Sequence, residues 1–586
     1  MKQLTKLGML FAGLGLLASC SNDNINDPTP NSPNVDMSGK TEGNISFNIC
    51  TFPNEGTKTG EEYNEGSKEI ENKVNSGYVF IFGGNVTNES DATFIESAEL
   101  EFSDWAYSND SYLEKVGIAK GKAKLTGNYV TTNKYWAVMV LNATNYDAYN
   151  FTSSSKLTDF LAVTTNTLGS TTTSTETAGF LMSSAPSYQD NSSVTWMAPI
   201  SDDWVKNRTA DYTAANVYVQ RVAAKVTVDT NNTTIESGEN LDNITVVGWD
   251  LDNTNTSSFL LQNVDLGWED KAHESRFFAY TPGNDVQHNR IFWSKDRNYD
   301  NQYDATSNPD IPQLQNLYNT TNDWGTASFT TADKYCHENT FPINYMTKDN
   351  STRVLLAATC VPNGLQKTNN GAYDGELENV PSNTPVSFLK NVDGTVWTKS
   401  SLEKAIATVL TTYTTPEPGQ EPQEIVPRVS LTLPERGDTS LNLSALNVQV
   451  NGGNIGGEDL DKVRASLRIL GNNLDFYKDG YCYYQMIIRH FTNGETGVDD
   501  DWKIGSSAIT EYTGNEEYTD GVDAFLGRYG VVRNNWYVLT VSSISKIGEP
   551  TPPKPDKKTD DDPDEQWIKF TVNILSWAMR RHTYEL

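Results

Sequence analysis

The chain has 586 residues, a net charge of −31 and a pI near 4.5. That balance excludes a nucleic-acid-binding protein, because phosphate recognition needs a basic stripe. Its five cysteines (Cys20, Cys50, Cys336, Cys360 and Cys482) are scattered without a CxxC pair, which argues against a zinc centre.

Lys2 and Lys6 precede an apolar stretch over 7–18 that suits a signal-peptide core and is too short to span a bilayer. It ends in Leu17-Ala18-Ser19-Cys20, a lipobox. Small residues ahead of a cysteine fit a narrow peptidase pocket, and the Cys20 thiol is the acceptor for a diacylglycerol group. Residues 1–19 are therefore expected to be a lipoprotein signal peptide, with Cys20 as the lipidation site. Residues 20–40 are rich in Asn, Asp, Pro and Ser and read as a flexible tether. What remains is too long for one core.

Short apolar or alternating runs bounded by Asn, Asp and Gly then predict strands. They fall at 45–49, 78–82, 135–141, 217–228, 244–251, 354–358, 429–433, 483–488, 536–541 and 568–575. Short helices are predicted at 156–161 and 401–410, the second with Leu402, Ile406, Val409 and Leu410 on one face. The Thr-rich segment 164–177 and the Pro-rich segment 412–427 read as surface loops, and a domain break is expected near 263–272. Such spacing argues for antiparallel sandwiches rather than βαβ units.

The C-terminal region carries the strongest signal. Five prolines with many Asp and Lys make 550–565 an extended, solvated linker. In the run that follows, Ile568, Phe570, Val572 and Ile574 share one face and Lys569, Thr571 and Asn573 the other. A strand with so apolar a face must find a groove, in its own domain or in a neighbour's.

Catalytic and metal chemistry find no matching pattern. The five histidines form no HExxH or metal-spaced pair, and there is no nucleophile elbow or Walker loop. The segment 296–300 begins like a calcium loop, but Asn301 and Ser307 stand where Gly and Glu are needed. No enzyme activity, metal or cofactor is expected. A disulfide between Cys336 and Cys360 and buried free thiols both remain open.

Several segments in order resemble the fimbrillins of Bacteroidales-type bacteria. They are the lipobox at Cys20, 180–183, 219–226, 290–294 with Asp296 and Tyr299, 338–340 after Tyr335 and Cys336, Arg533 and Asn534 with Tyr537, and 572–577. The resemblance implies an all-β chain of two transthyretin-like antiparallel β-sandwich domains with extended N- and C-terminal strands. The expected limits are 41–268 and 269–548, followed by 549–586 as linker and donor strand. It also implies a mechanism. The lipoprotein precursor reaches the outer membrane, a trypsin-like protease removes the first strand, and a C-terminal strand from another subunit fills the opened groove. On this chain the removed strand maps to 43–52. The cut maps to Lys58 and Thr59, and the donor strand to Ile568, Phe570, Val572, Ile574 and Trp577. The family usually has an Arg at the cut, whereas this chain has none before Arg208. Expected partners are further copies of the chain, accessory fimbrial subunits, and host proteins or glycans, with the lipid anchor holding the precursor to the outer membrane. The alternatives are an anchor or tip subunit of the fimbrium and a surface glycan-binding lipoprotein.

Overall fold

A computed structural model describes residues 43–51, 71, 74–107, 117–143, 149–170, 179–190, 193–209, 213–231, 233–235, 244–264, 289–290, 294, 296–299, 314–315, 329–341, 350–361, 385–488, 490, 529–553 and 568–576. Only the strands that build the main sheets are numbered below.

The first sheet holds β1 (Gly43–Thr51), β2 (Gly77–Gly84), β3 (Thr93–Glu99), β4 (Glu101–Tyr107), β5 (Gly117–Leu125), β6 (Lys134–Leu141), β7 (Met182–Ser184) and β8 (Thr213–Arg221). Their order is β3-β2-β6-β7-β8-β1-β5-β4, and Ala198–Pro199 also pairs with β6. One apolar cluster joins Val79 and Ile81 of β2 to Ala123 and Leu125 of β5, so the sheet curls around its own core. On the other face Phe80 and Phe82 of β2 and Val138 and Val140 of β6 pack against Leu157, Phe160 and Leu260. Burial on both faces explains why 78–82 and 135–141 are nearly continuous apolar runs rather than alternating ones.

The strands that follow are β9 (Ala223–Asp229), β10 (Ile244–Asp252), β11 (Lys334–His337), β12 (Arg353–Cys360), β13 (Phe388–Asn391), β14 (Leu474–Tyr477), β15 (Tyr481–Ile487), β16 (Asn535–Ile544) and β17 (Ile568–Ser576), and all but β13 and β14 build the second sandwich. One layer runs β17-β16-β9-β11 and the facing layer β10-β12-β15. Between them lie Val226, Tyr537, Leu539 and Val541 from one side and Trp249, Val354, Leu356, Tyr484 and Met486 from the other. Cys336, Cys360 and Cys482 sit in this core as free thiols. Burial pushes Cys336 up to about 12 and Cys482 up to about 11, so they stay protonated and unreactive.

Most pairings are antiparallel, but β1 with β8, β9 with β16 and Thr234–Ile235 with β16 are parallel. The apolar run predicted over 217–228 is two strands in two sheets. Val222 interrupts it by turning into the core of the first sheet, where its N–H donates to Leu181 O. Asn534 fixes the turn, accepting from Arg221 N–H and donating its own N–H to Ala223 O. The chain therefore changes sheet at Val222, ahead of the break expected at 263–272, and β10 pairs with β12 of the second sandwich.

Between β12 and β15 stands a small α/β unit. Its four-stranded sheet combines β13 and β14 with Val396–Trp397 and Asp438–Leu441, and packs on α-helices Lys399–Val409 and Gly457–Leu467. Thr398 caps the first helix by accepting from Ser401 N–H, and Leu402, Ala405 and Ile406 form its buried face, close to the helix expected at 401–410. The Pro-rich segment expected as a loop is an exposed hairpin, with Thr412–Tyr413 paired to Glu424–Ile425.

Candidate functional site

β1 is an interior strand. It pairs in parallel with β8 (Phe47 opposite Ala215, Ile49 opposite Val217) and antiparallel with β5 (Phe47 opposite Gly121, Ile49 opposite Ala119). Ile45, Phe47 and Ile49 are fully buried, and alternate with Asn44, Ser46 and Asn48. Polar contacts fix the register: Trp204 Nε1 donates to Asn44 O (2.9 Å) and Asn48 Nδ2 donates to Asn216 Oδ1 (2.8 Å). Gly121 allows close approach, since a Cβ there would lie 2.9 Å from Ile49 Cδ1. Periodicity alone gave no signal for that glycine.

Removing β1 would expose two unpaired strand edges and an apolar floor. Three side chains at about 1.5–3 kcal/mol each hold it in place, on the order of 5–9 kcal/mol gross. Lys58 and Thr59 lie outside the described residues, as do Cys20 and Trp577. Glu71, beyond the proposed cut, is fully buried and clamped. Its carboxylate accepts from Lys225 Nζ (2.8 Å) and Tyr335 OH (2.7 Å), and its carbonyl accepts from Arg221 Nε (2.7 Å). A cut after Lys58 would therefore separate β1 from Glu71, the first described residue that follows it.

The backbone of β17 pairs antiparallel with β16, from Ile568 opposite Ile544 to Ser576 opposite Asn535. The side chains of Ile568, Phe570, Val572 and Ile574 lie outside the described ones. β17 is an edge strand among the described residues, with β16 its one partner. Its sequence repeats β1: Ile45-Ser46-Phe47-Asn48-Ile49 against Ile568-Lys569-Phe570-Thr571-Val572. The linker leaves from a fixed point, where Arg353 Nη2 donates to Pro553 O (2.7 Å) while also pairing with Asp252 (2.5 Å).

Described residues of the middle segments that carry the resemblance meet where the two sandwiches join. The buried Arg533 guanidinium binds the Glu338 carboxylate and donates to Phe259 O (2.6 Å) and Leu260 O (3.0 Å). Lys225 adds Asp333 (3.3 Å) and sits 3.9 Å over the Trp536 ring. Asp296 closes its own turn by accepting from Asn298 N–H (2.9 Å) and also accepts from Asn255 Nδ2. Burial, with a smaller contribution from Glu338, pushes its carboxyl up to about 7 despite those donors. No group of three or more His, Cys, Asp or Glu is placed to hold a metal ion among the described residues. This cluster is a structural lock between the sandwiches.

Residues 509–583, which include β16 and β17, match the family model described as "Major fimbrial subunit protein type IV, Fimbrillin, C-terminal". No curated protein matches the chain. Among solved structures the chain is similar to a fimbrilin from Porphyromonas gingivalis W83, at 14% identity over 92% of this chain and 98% of that one, with a TM-score of 0.35. It is also similar to candidate cell adhesion proteins from Parabacteroides distasonis ATCC 8503 (12% identity, 93% and 100% covered, TM-score 0.35) and Bacteroides eggerthii DSM 20697 (12%, 93% and 98%, 0.33). The resemblance therefore rests on residues 509–583. Residues 509–583 are thus similar to the C-terminal part of a fimbrillin, a major fimbrial subunit protein.

Proposed function

We propose that the chain is a structural subunit of a cell-surface fimbrium that polymerises by strand exchange and supports adhesion. It is exported as a lipoprotein acylated at Cys20 and held in the outer membrane as a precursor. Cleavage between Lys58 and Thr59 frees β1, and β17 of another copy fills the vacated slot. One observation carries this reading: an interior strand bearing a buried Ile-x-Phe-x-Ile face is echoed by an edge strand of the same pattern at the end of a long linker. The fourteen residues 554–567 can extend up to roughly 50 Å from Pro553, enough to carry β17 to a neighbouring molecule. Head-to-tail donation does not close on itself, so a filament results. Partners on this reading are further copies, accessory fimbrial subunits, and host proteins or glycans.

Mass spectrometry of the N-terminus of the assembled protein tests it. A start at Thr59 is expected. A lipidated Cys20 retained throughout the filament would overturn processing and point to an anchor subunit.

A further inference from the structure

Lys120, Lys122 and Lys124 alternate along β5 and are all exposed. Each lies directly beside the β1 slot: Lys120 opposite Asn48, Lys122 opposite Ser46 and Lys124 opposite Asn44. On the other side β4 sets Ser103 opposite Lys120 and Glu101 opposite Lys122. In a chain of net charge −31, three lysines in a row on one strand are a local reversal of sign. The complement stands ahead of β17, where 560–565 reads Asp560-Asp561-Asp562-Pro563-Asp564-Glu565.

We propose that this lysine row is the landing surface for the acidic run 560–565 of a second copy, drawing the incoming tail to the slot beside β5. The inference rests on the strand-donation reading. With Ile568 in the place of Ile45 and the donor running as β1 does, Glu565 stands about 7 Å along the strand from the position opposite Lys124. With the ~4.8 Å between neighbouring strands added, the Glu565 and Lys124 backbones stand about 8 Å apart, comparable with the screening length of about 8 Å at physiological salt. Lys569 then takes the place of Ser46 opposite Lys122, and with Lys557 and Lys558 ahead of the run it sets three like charges against five carboxylates. The attraction acts before the strands pair, so it governs the rate of assembly more than the stability of the finished filament.

The test follows polymerisation by light scattering of the full-length chain, cut after residue 58 at an introduced site for a sequence-specific protease that leaves the other lysines untouched. Three variants are compared with the native chain. One carries Lys120→Glu, Lys122→Glu and Lys124→Glu. A control carries Lys399→Glu, Lys404→Glu and Lys462→Glu, which makes the same change in net charge elsewhere. The third adds Asp560→Lys, Asp561→Lys and Asp562→Lys to the reversed row. At low salt the reversed row should assemble about tenfold or more slower than the control, the gap closing as salt rises, and the compensating tail should restore the rate. Equal rates for reversed row and control, or a slow rate that neither salt nor the compensating tail relieves, overturn this inference and leave strand donation standing. A native chain that forms no polymer at any salt overturns strand donation and this inference together.

Discussion

Phe47 offers a decisive perturbation, because strand exchange gives it a role in the precursor and none in the filament. It is fully buried in β1, in one cluster with Ile45, Ile49, Val79, Ile81, Leu100 and Val217. Truncation to Ala removes a ring from a close-packed core and should cost about 3–5 kcal/mol. In the unclipped chain, urea unfolding should show that loss as a lowered midpoint with an unchanged slope. If strand exchange operates, β17 of the next subunit fills the slot in the filament, so Phe47→Ala should leave the heat resistance of high-mass ladders on gels unaltered. Phe570→Ala should do the reverse and weaken the ladders by a comparable amount. If Phe47→Ala weakens filament and precursor alike, β1 stays in place during assembly and the exchange mechanism is wrong.

Deleting 566–586 should abolish the ladders while leaving a soluble chain, as gels and circular dichroism would show; a truncated chain that still polymerises refutes donation from this end. Glu71→Gln removes the partner of the buried Lys225 ammonium and should destabilise the chain by about 3–5 kcal/mol in urea. A loss under about 1 kcal/mol would mean that Asp333 alone satisfies Lys225. Burial holds the Asp296 carboxyl up at about 7, against an ordinary 3.8, and that of Glu89 up at about 7, against 4.5. Both are raised, so their contribution to stability is complete below pH 4 and is lost as pH rises through 7. His337 acts oppositely. Burial, and then the nearby Arg533 cation, hold it down at about 4 against 6.5, so its contribution is present above pH 6.5 and lost as pH falls through 4. Asp296→Asn should flatten the decline in urea midpoint between pH 4 and 7, and a decline of unchanged steepness would show that Asp296 does not titrate there.

The sequence by itself determined the local elements, because their signals are local. The runs at 78–82 and 135–141, the helices near 156–161 and 401–410 and the alternation after Gln566 all lie in elements of the expected type. Tertiary structure decided which strand lies beside which. The run 217–228 carries no breaker, yet it divides at Val222, because Asn534, more than 300 residues away, fixes the turn. The parallel setting of β1 against β8, the clamp on Glu71 and the lysine row beside the slot likewise depend on partners distant in the chain. Periodicity records which face of a strand is apolar. Neighbour, direction and register are settled only when the core closes and each buried polar group must find its partner.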